Sequence, residues 1–284
     1  MRDAATKILI VSSPKAGATL AERIMLARLN LTGVAAAYRG KRNSSAYPLL
    51  YAHEVFQKQR SAGRYPDANH LADCADPSWL CIALVRTPLD RAVSSYVHSL
   101  KYFANVGAWA GVSPNTSFAD FALDLDRRAH DRGRSRNDDH FMPQISPSPH
   151  VLSVPIEMLS EPDGYACPLL ERLQGWRVAE LEGEALEHAS THYITQAKAS
   201  DPGSEHWPWP RLQAEQARRG FPSYDSFFSN KSFCRHVVGC LYRDDLRTYH
   251  DACRGSRLRV CPAYRRACEA QLARLRDVCG VMVS

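Results

Sequence analysis

A lysine and a glycine that follow a short apolar run are the first residues whose types and spacing suit chemistry. Residues 8–11 read Ile-Leu-Ile-Val, and Ser-Ser-Pro-Lys-Ala-Gly follows, which brings Lys15 and Gly17 into one loop. Glycine lets the backbone approach a ligand closely, amide groups at a helix start bind anions, and lysine adds a mobile positive charge. The segment predicts a cradle for a phosphate or sulfate group. The plainer interpretation is a loop that only starts a helix.

A second segment of the same kind begins at Arg86, directly after the apolar residues 80–85. Thr87 can cap a helix, the proline after it suits the first helical position, and Asp90 places a negative charge in the first turn. Arginine offers a hydrogen-bonding fork for phosphate, and Ser94, two turns into the helix, can reach the same group if the turn is tight. The segment predicts a second phosphate contact. The plainer interpretation is that Arg86 neutralises a buried carboxylate.

Buried strands and amphipathic helices must position these loops. The apolar runs in residues 7–12, 80–85 and 151–154 predict strands buried on both faces of a parallel sheet. Apolar residues at helical spacing follow the first two runs, at residues 18–29 and from residue 88 toward 100. This alternation indicates an α/β fold with a central parallel sheet flanked by helices, in which ligands bind at the carboxyl ends of the strands.

Residues 38–69 are predicted to be irregular or to form short helices, and longer helices are predicted further along the chain. Residues 118–129 and 233–251 carry helical patterns, and so does the stretch that ends at Cys279. Residues 201–210, DPGSEHWPWP, contain three prolines and predict an irregular loop over a cleft. We expect one domain over residues 1–284.

Four segments resemble those of sulfotransferases that use 3′-phosphoadenosine-5′-phosphosulfate (PAPS) as the sulfuryl donor. Residues 14–19, PKAGAT, resemble the loop that holds the 5′-phosphosulfate, and residues 85–96, VRTPLDRAVSSY, resemble the segment that holds the 3′-phosphate. Residues 139–144, DHFMPQ, and 241–246, LYRDDL, are similar to two segments of the Golgi carbohydrate sulfotransferases. The resemblance implies a single P-loop-like catalytic domain of the α/β class that converts PAPS to adenosine 3′,5′-bisphosphate.

The resemblance also assigns the donor-binding residues, which are Pro14, Lys15, Ala16, Gly17, Ala18, Thr19, Leu20, Arg86 and Ser94. The sequence departs from the family pattern at Thr87, which replaces an aspartate, and at Phe141 and Met142, which replace a tryptophan and an arginine. Ala18 stands where glycine or threonine is commoner. Threonine can still cap the helix, whereas the missing arginine near His140 bears on the choice of acceptor.

Sulfuryl transfer needs a cation for the leaving phosphate and a base for the acceptor proton. Lys15 is expected to stabilise the charge that grows on the leaving phosphate, and no metal ion is expected. Histidine titrates near neutrality and therefore suits the role of base. From the resemblance to glycan sulfotransferases we expect His53 as the first choice of base and His140 as the second, with the Glu54 carboxylate third.

The acceptor is predicted from charge and from the resemblance. The formal net charge of +6 suits an anionic partner, but the sequence lacks the concentrated basic stripe of nucleic-acid-binding proteins. We expect a carbohydrate hydroxyl or amine, with a small-molecule alcohol or phenol as the alternative. A nucleotide or small-molecule kinase and a non-catalytic PAPS-binding module are rival interpretations. The kinase is disfavoured because its phosphate loop carries Gly-Lys-Ser/Thr, in which the lysine follows the glycine.

Cysteines and glycosylation sequons bear on the compartment. Six of the nine cysteines lie between residues 234 and 279, which favours disulfides there. Buried thiols are the alternative, and a metal site is disfavoured because no Cys-x-x-Cys pair occurs. Four Asn-x-Ser/Thr sequons, at Asn30, Asn43, Asn115 and Asn230, also favour the secretory pathway. We expect the Golgi lumen, with any membrane anchor outside this sequence, and the cytoplasm as the alternative; the sequence leaves the oligomeric state open.

Overall fold

A computed structural model defines the fold. It describes residues 2–3, 6–13, 15–17, 21, 75–101, 112–132, 144, 151–160, 203–255 and 261–280. The chain divides into two compact units. The first comprises Met1–Val85, Ile145–Thr191 and Ala252–Ala267, and the second comprises Arg86–Gln144, His192–Asp251 and Cys268–Ser284. The expectation of a single catalytic domain over residues 1–284 stays a prediction.

A four-stranded sheet lies in the first unit. Its strands are β1 (Arg2–Asp3), β2 (Ile8–Ser12), β3 (Leu80–Val85) and β4 (Leu152–Pro155), and they lie in that order. Strands β2, β3 and β4 are parallel, and β1 is antiparallel to β2. The three predicted parallel strands are therefore confirmed. The sequence did not predict β1 because two residues are too few to show a hydrophobic period.

The register of the sheet aligns the ends of its parallel strands. The side chains of residues 8–10 in β2 and 81–85 in β3 are buried, as expected where a parallel sheet is covered on both faces. Ser12 pairs with Leu84, and Leu84 pairs with Val154. The carboxyl ends of β2, β3 and β4 thus lie at one edge of the sheet, which is the edge where ligands of α/β proteins bind.

Helices make up most of the described second unit. The α-helices described are α1 (Pro88–Lys101), α2 (Phe118–Arg132), α3 (Trp209–Arg219), α4 (Lys231–His236), α5 (Arg243–Gly255) and α6 (Pro262–Cys279). Short 3₁₀ helices occur at Ile156–Ser160, Ser204–His206 and Tyr224–Phe228. The helices predicted from residues 88, 118 and up to 279 are confirmed. Within the described ranges, no helix combines the length and apolar character needed to cross a bilayer.

Aromatic rings form the core of the second unit. Tyr96 on α1 lies with its ring centroid 5.5 Å from that of Phe118 and 5.4 Å from that of Phe121, both on α2. Phe227 packs edge-on against Phe118 at 5.6 Å, and all four side chains are buried. Each such aromatic pair adds about 0.5–1.5 kcal/mol beyond its buried area. This core fixes α1, the helix that begins two residues after Arg86.

The proline-rich residues 201–210 are more regular than predicted. Ser204–His206 forms a 3₁₀ helix, and α3 begins at Trp209. Prolines permit this because Pro208 precedes the helix and Pro210 lies in its first turn, where a backbone N–H has no partner inside the helix. The prediction of an irregular loop was therefore wrong for this part of the stretch.

Residues 233–251 are less regular than predicted. The expected single helix is divided into α4 and α5 by a π-helical turn, Val237–Leu241, and by Tyr242. The backbone N–H of Tyr242 donates to the carbonyl of Val237, five residues earlier, at 2.9 Å. Such π turns often occur at functional positions. This one ends four residues before Asp245, whose contacts are described below.

A disulfide ties two of the C-terminal cysteines together. It joins Cys234 of α4 to Cys279 at the end of α6, with their Cα atoms 5.1 Å apart. The Nε of Arg235 donates to the carbonyl of Cys279 at 3.1 Å, which holds the same two helix ends together. Other described cysteines carry thiols, and those at positions 253, 261 and 268 are buried. Both interpretations of the cysteines, disulfides and buried thiols, thus apply to part of the set.

Candidate functional site

The turn after β2 places Lys15 in an uncommon backbone conformation. The N–H of Ala16 donates to the carbonyl of Ser13 at 3.0 Å, which closes a four-residue turn with Lys15 in its third position. Lys15 has φ of 65°, in the left-handed region, which a type II turn requires of its third residue. A residue with a Cβ pays about 1–2 kcal/mol for this conformation. The turn therefore fixes the backbone of Lys15 at a site where glycine would be easier to accommodate.

Gly17 lets the same loop pack tightly against the sheet. It has φ of 99°, and a Cβ added to it would lie 2.7 Å from Cγ2 of Ile156 and 3.3 Å from Cδ1 of Leu84. Neither the conformation nor the space suits a larger residue. The N–H of Ala21 then donates to the carbonyl of Gly17 at 2.9 Å, which is the spacing of a helical turn. The described residues thus have the predicted order of strand, glycine loop and helix start; Pro14, Ala18, Thr19 and Leu20 lie outside them.

The start of α1 follows the predicted pattern. The side-chain oxygen of Thr87 accepts a hydrogen bond from the N–H of Asp90 at 3.2 Å, and Pro88 is the first helical residue. Asp90 lies in the first turn, where its negative charge complements the helix dipole. The predicted cap is confirmed, and threonine performs it where the family pattern has aspartate.

The peptide groups of Arg86 are held by a single side chain, that of Gln144. The N–H of Arg86 donates to Oε1 of Gln144 at 2.7 Å, and Nε2 of Gln144 donates to the carbonyl of Arg86 at 2.9 Å. A side-chain amide carries one acceptor and one donor group, so it can pair with both backbone groups of one residue. Gln144 thereby fixes the backbone at the point where the chain has just left β3.

Gln144 is in turn held by a buried ion pair. Its N–H donates to Oδ1 of Asp245 at 2.6 Å, and the other carboxylate oxygen of Asp245 accepts from Nη1 of Arg91 at 2.6 Å. The side chains of Arg91 and Asp245 are 0% and 1% exposed. Burial raises the pKa of Asp245, and the charge of Arg91 acts in the opposite direction. Three of the four segments singled out in the sequence therefore meet in one hydrogen-bonded network.

The guanidinium of Arg86 lies beside an aromatic ring and close to a carboxylate. Its central carbon is 5.8 Å from the ring centroid of Tyr224. Burial raises the pKa of Tyr224 above its ordinary value, and the positive charge of Arg86 partly opposes that rise. Arg86 also helps to lower the pKa of Asp90. Asp90 is thus the carboxylate that Arg86 helps to neutralise, as the plainer interpretation of Arg86 expects.

Asp90 has a closer partner in Arg274. Two guanidinium nitrogens of Arg274 donate to its carboxylate, at 2.7 and 3.2 Å, and Arg274 also donates to Asp225 at 2.7 Å. Burial acts to raise the pKa of Asp90, but the charge and hydrogen bonds of Arg274 outweigh it and hold that pKa below its ordinary value of 3.8. Two arginines and two aspartates thus form a charge-balanced group around the start of α1, in which Asp90 is compensated by direct bonds to Arg274.

Ser94 is half-buried on α1, one helical turn beyond Asp90 on the same face. Arg86 and Ser94 belong to the second unit, whereas Lys15 and Gly17 belong to the first. That the two turns bind opposite ends of one nucleotide therefore stays a prediction. The three candidate bases, His53, Glu54 and His140, lie outside the described residues.

Sequence reasoning assigned no role to several residues of this arrangement. Gln144 and Asp245 lie inside the third and fourth segments, so the sequence singled out their positions. It did not indicate which residues they contact. Tyr224 and Arg274 stood in no segment, and the sequence offered no signal for either. In the part of the chain that the structure describes, no group of three or more His, Cys, Asp or Glu side chains is placed to hold a metal ion.

Comparison of the chain with protein-family models, with curated proteins and with solved structures finds no match. The case for a function therefore depends on the residues themselves. It consists of the geometry of the two turns, the network around Arg86 and the order of the four segments along the chain.

Proposed function

We propose that the chain is a PAPS-dependent sulfotransferase with a P-loop-like fold, which transfers a sulfuryl group to a carbohydrate hydroxyl or amine. One observation carries the proposal. Two adjacent parallel strands, β2 and β3, end at the same edge of the sheet, and in the chain each is followed by a turn with a cationic residue, Lys15 or Arg86. A bisphosphorylated nucleotide needs two such anion contacts, and that edge is where α/β proteins bind ligands.

In the proposed reaction the acceptor oxygen forms a bond to sulfur while the bond between sulfur and the 5′-phosphate oxygen breaks. The acceptor proton passes to a base, for which His53 is the first choice, His140 the second and Glu54 the third. Negative charge grows on the leaving phosphate, and the ammonium group of Lys15 stabilises it. The left-handed backbone of Lys15 supports this role because strained conformations concentrate at functional sites.

Arg86 and Ser94 bind the 3′-phosphate in this proposal. The guanidinium fork of arginine matches the oxygens of a phosphate, provided that its backbone is held in place. Both peptide groups of Arg86 are fixed by Gln144, and Asp90 is compensated by Arg274. These contacts favour a ligand-binding role for Arg86 over one confined to neutralising Asp90.

The carbohydrate acceptor and the Golgi lumen are proposed together. Support for the acceptor comes from the segments at residues 139–144 and 241–246, which resemble those of carbohydrate sulfotransferases. The disulfide between Cys234 and Cys279 supports the lumen, since disulfides persist in oxidising compartments.

A thermal-shift titration tests the donor. Adenosine 3′,5′-bisphosphate is compared with ATP and with adenosine 5′-phosphate, which lacks the 3′-phosphate. A bound ligand at a hundredfold excess over its dissociation constant stabilises the folded state by about 2.7 kcal/mol, so the bisphosphate is expected to give the largest shift. An Arg86→Ala variant is expected to lose the preference for the bisphosphate over the monophosphate.

The outcomes separate the rival interpretations. A preference for ATP would overturn the proposal in favour of a kinase, and the absence of any shift would overturn it altogether. Binding of the bisphosphate without sulfuryl transfer from PAPS to any carbohydrate, alcohol or phenol would indicate a non-catalytic binding module. Transfer to a phenol in preference to carbohydrates would keep the reaction and replace the acceptor.

A further inference from the structure

Gln144 lies in the segment that resembles a region of the Golgi carbohydrate sulfotransferases, and its side chain contacts the backbone of Arg86. Its side-chain amide accepts from the N–H of Arg86 at 2.7 Å and donates to the carbonyl of Arg86 at 2.9 Å. This pair of bonds is the one a neighbouring strand makes with a single residue in an antiparallel ladder. Gln144 is 3% exposed, and both bonds are partly buried.

Two further hydrogen bonds connect Gln144 back to the segment that contains Arg86. Gln144 donates through its own N–H to Asp245 on α5, and Asp245 accepts from Arg91 on α1. Arg91 follows Arg86 by five positions in the chain. Hydrogen bonds therefore close a ring across the turn from β3 to α1, with Gln144 and Asp245 as the members supplied by other parts of the chain.

The ring restrains the conformation of Arg86 from both ends. Gln144 fixes its two peptide groups, and the ion pair between Arg91 and Asp245 fixes the first turns of α1. A rotation of the Arg86 peptide would break two partly buried hydrogen bonds and leave the buried amide of Gln144 without them, which is costly. The base of the Arg86 side chain is thereby held in one orientation.

We propose that Gln144 and Asp245 are positioning residues for Arg86 and that they set the preference of the protein for a nucleotide with a 3′-phosphate. This inference rests on the proposed function, in which Arg86 binds that phosphate. Recognition by a guanidinium fork depends on orientation, so a backbone that rotates freely weakens the 3′-phosphate contact and leaves contacts to the remainder of the nucleotide intact.

A purely structural role would give a different result. If Gln144 and Asp245 only stabilise the fold, their replacement weakens binding of every nucleotide to the same degree. If they position Arg86, binding of the 3′-phosphorylated nucleotide is weakened selectively. The ratio of two dissociation constants, for adenosine 5′-phosphate and for adenosine 3′,5′-bisphosphate, separates these two possibilities.

The experiment measures that ratio by calorimetry in the full chain and in a Gln144→Met variant. Methionine keeps the approximate shape of the side chain and removes both hydrogen bonds to Arg86. The ratio is expected to fall about tenfold, the factor that corresponds to about 1.4 kcal/mol, with the affinity for adenosine 5′-phosphate unchanged. The matched control is Ser117→Ala, which removes the hydrogen bond that the Ser117 hydroxyl accepts from the N–H of Asp120 at the start of α2. This change keeps every member of the ring and is expected to leave the ratio as it is.

A second variant covers the case in which Gln144→Met does not fold. Arg91→Met combined with Asp245→Leu replaces the buried pair by apolar side chains, a change that proteins often tolerate. It removes the anchor of Gln144 and is expected to lower the ratio as well. An unchanged ratio in the variant that folds overturns the positioning role while the proposed function stands. A parent chain without preference for the bisphosphate overturns the proposed function itself.

Discussion

The backbone of Lys15 bears directly on whether its loop has a function. With φ of 65°, this residue occupies a region that glycine enters at no steric cost. A loop that only started a helix would be more stable with glycine there. The lysine side chain is therefore kept at a cost to stability, which is the pattern expected of a residue that contacts a ligand.

Replacing Lys15 tests this interpretation in two directions. Lys15→Gly and Lys15→Ala both remove the ammonium group, but only alanine keeps the strained conformation. The free energy of unfolding of Lys15→Gly is expected to exceed that of Lys15→Ala by about 0.5–1 kcal/mol. This figure allows for the greater freedom of glycine in the unfolded chain. Both variants are expected to lose about a hundredfold in sulfuryl transfer. Urea unfolding and transfer rates measure the two effects; undiminished transfer by either variant contradicts the role of Lys15.

Asp90 makes the stability of the second unit depend on pH. Its pKa in the folded state lies below the ordinary 3.8, because Arg274 outweighs the effect of burial. Above about pH 5 the carboxylate is ionised in both states and its contribution to folding is complete. As the pH falls through the lowered pKa, the unfolded chain binds the proton first and the contribution is lost. We expect Asp90→Asn to flatten the decline of the urea midpoint between about pH 4 and pH 2.

The control for this prediction is Asp225→Asn, which removes a carboxylate from the same arginine. The Asp225 side chain is 43% exposed, against 16% for Asp90, so water compensates more of its charge. A smaller loss of stability at neutral pH is expected for Asp225→Asn than for Asp90→Asn. Equal losses would mean that Asp90 has no special place in the group around Arg274.

At the scale of elements, the start of α1 shows how a local signal fixes the turn to which the proposal assigns 3′-phosphate binding. Thr87 caps the helix through the N–H of Asp90, and Ser117 caps α2 in the same way through the N–H of Asp120, also at 3.2 Å. The two caps are chemically similar. They differ in place, since Thr87 adjoins Arg86 and Ser117 adjoins the aromatic core.

This similarity allows a matched comparison. Thr87→Ala and Ser117→Ala are each expected to lower the free energy of unfolding by about 1 kcal/mol, and Thr87→Asp is expected to retain stability because aspartate also caps. Thr87→Ala is expected to weaken binding of adenosine 3′,5′-bisphosphate more than Ser117→Ala does. Urea unfolding and calorimetry are the measurements. Equal effects of the two alanine variants on binding would show that the cap of α1 does not serve the site.

At the scale of the whole molecule, the disulfide is the covalent crosslink described. It links residues 45 positions apart and joins the end of α6 to α4. A crosslink of this span restricts the unfolded chain, and the entropy estimate for a loop of this length is about 4 kcal/mol. Folding of the second unit is therefore expected to depend on oxidation.

The corresponding prediction concerns redox conditions. The double variant Cys234→Ala with Cys279→Ala, and the parent chain in the presence of a reductant, are both expected to lose about 2–5 kcal/mol of unfolding free energy. Cys240→Ala is the control, because this cysteine is exposed and carries a thiol. A parent chain whose urea midpoint is unaffected by reductant would contradict the disulfide.

Much of the fold could be predicted because its signals are local. Apolar runs of four to six residues identified β2, β3 and β4, and capping residues identified the start of α1. Predictions from local patterns were wrong in two places, where packing or backbone position changed the outcome. The prolines near Trp209 were compatible with a helix start, and the helical pattern of residues 233–251 did not reveal the π turn inside it.

The sequence by itself determined the parallel strands, the position of the two loops and the cap at Thr87, since each depends on residues within a few positions of one another. The tertiary structure decided which distant side chains meet. Gln144 and Arg86 are 58 positions apart, Gln144 and Asp245 are 101 apart, and Arg91 and Asp245 are 154 apart. The pairing of Cys234 with Cys279 and of Asp90 with Arg274 belongs to the same class. Such contacts depend on the path of the whole chain, and the pattern of residues around either partner does not specify them.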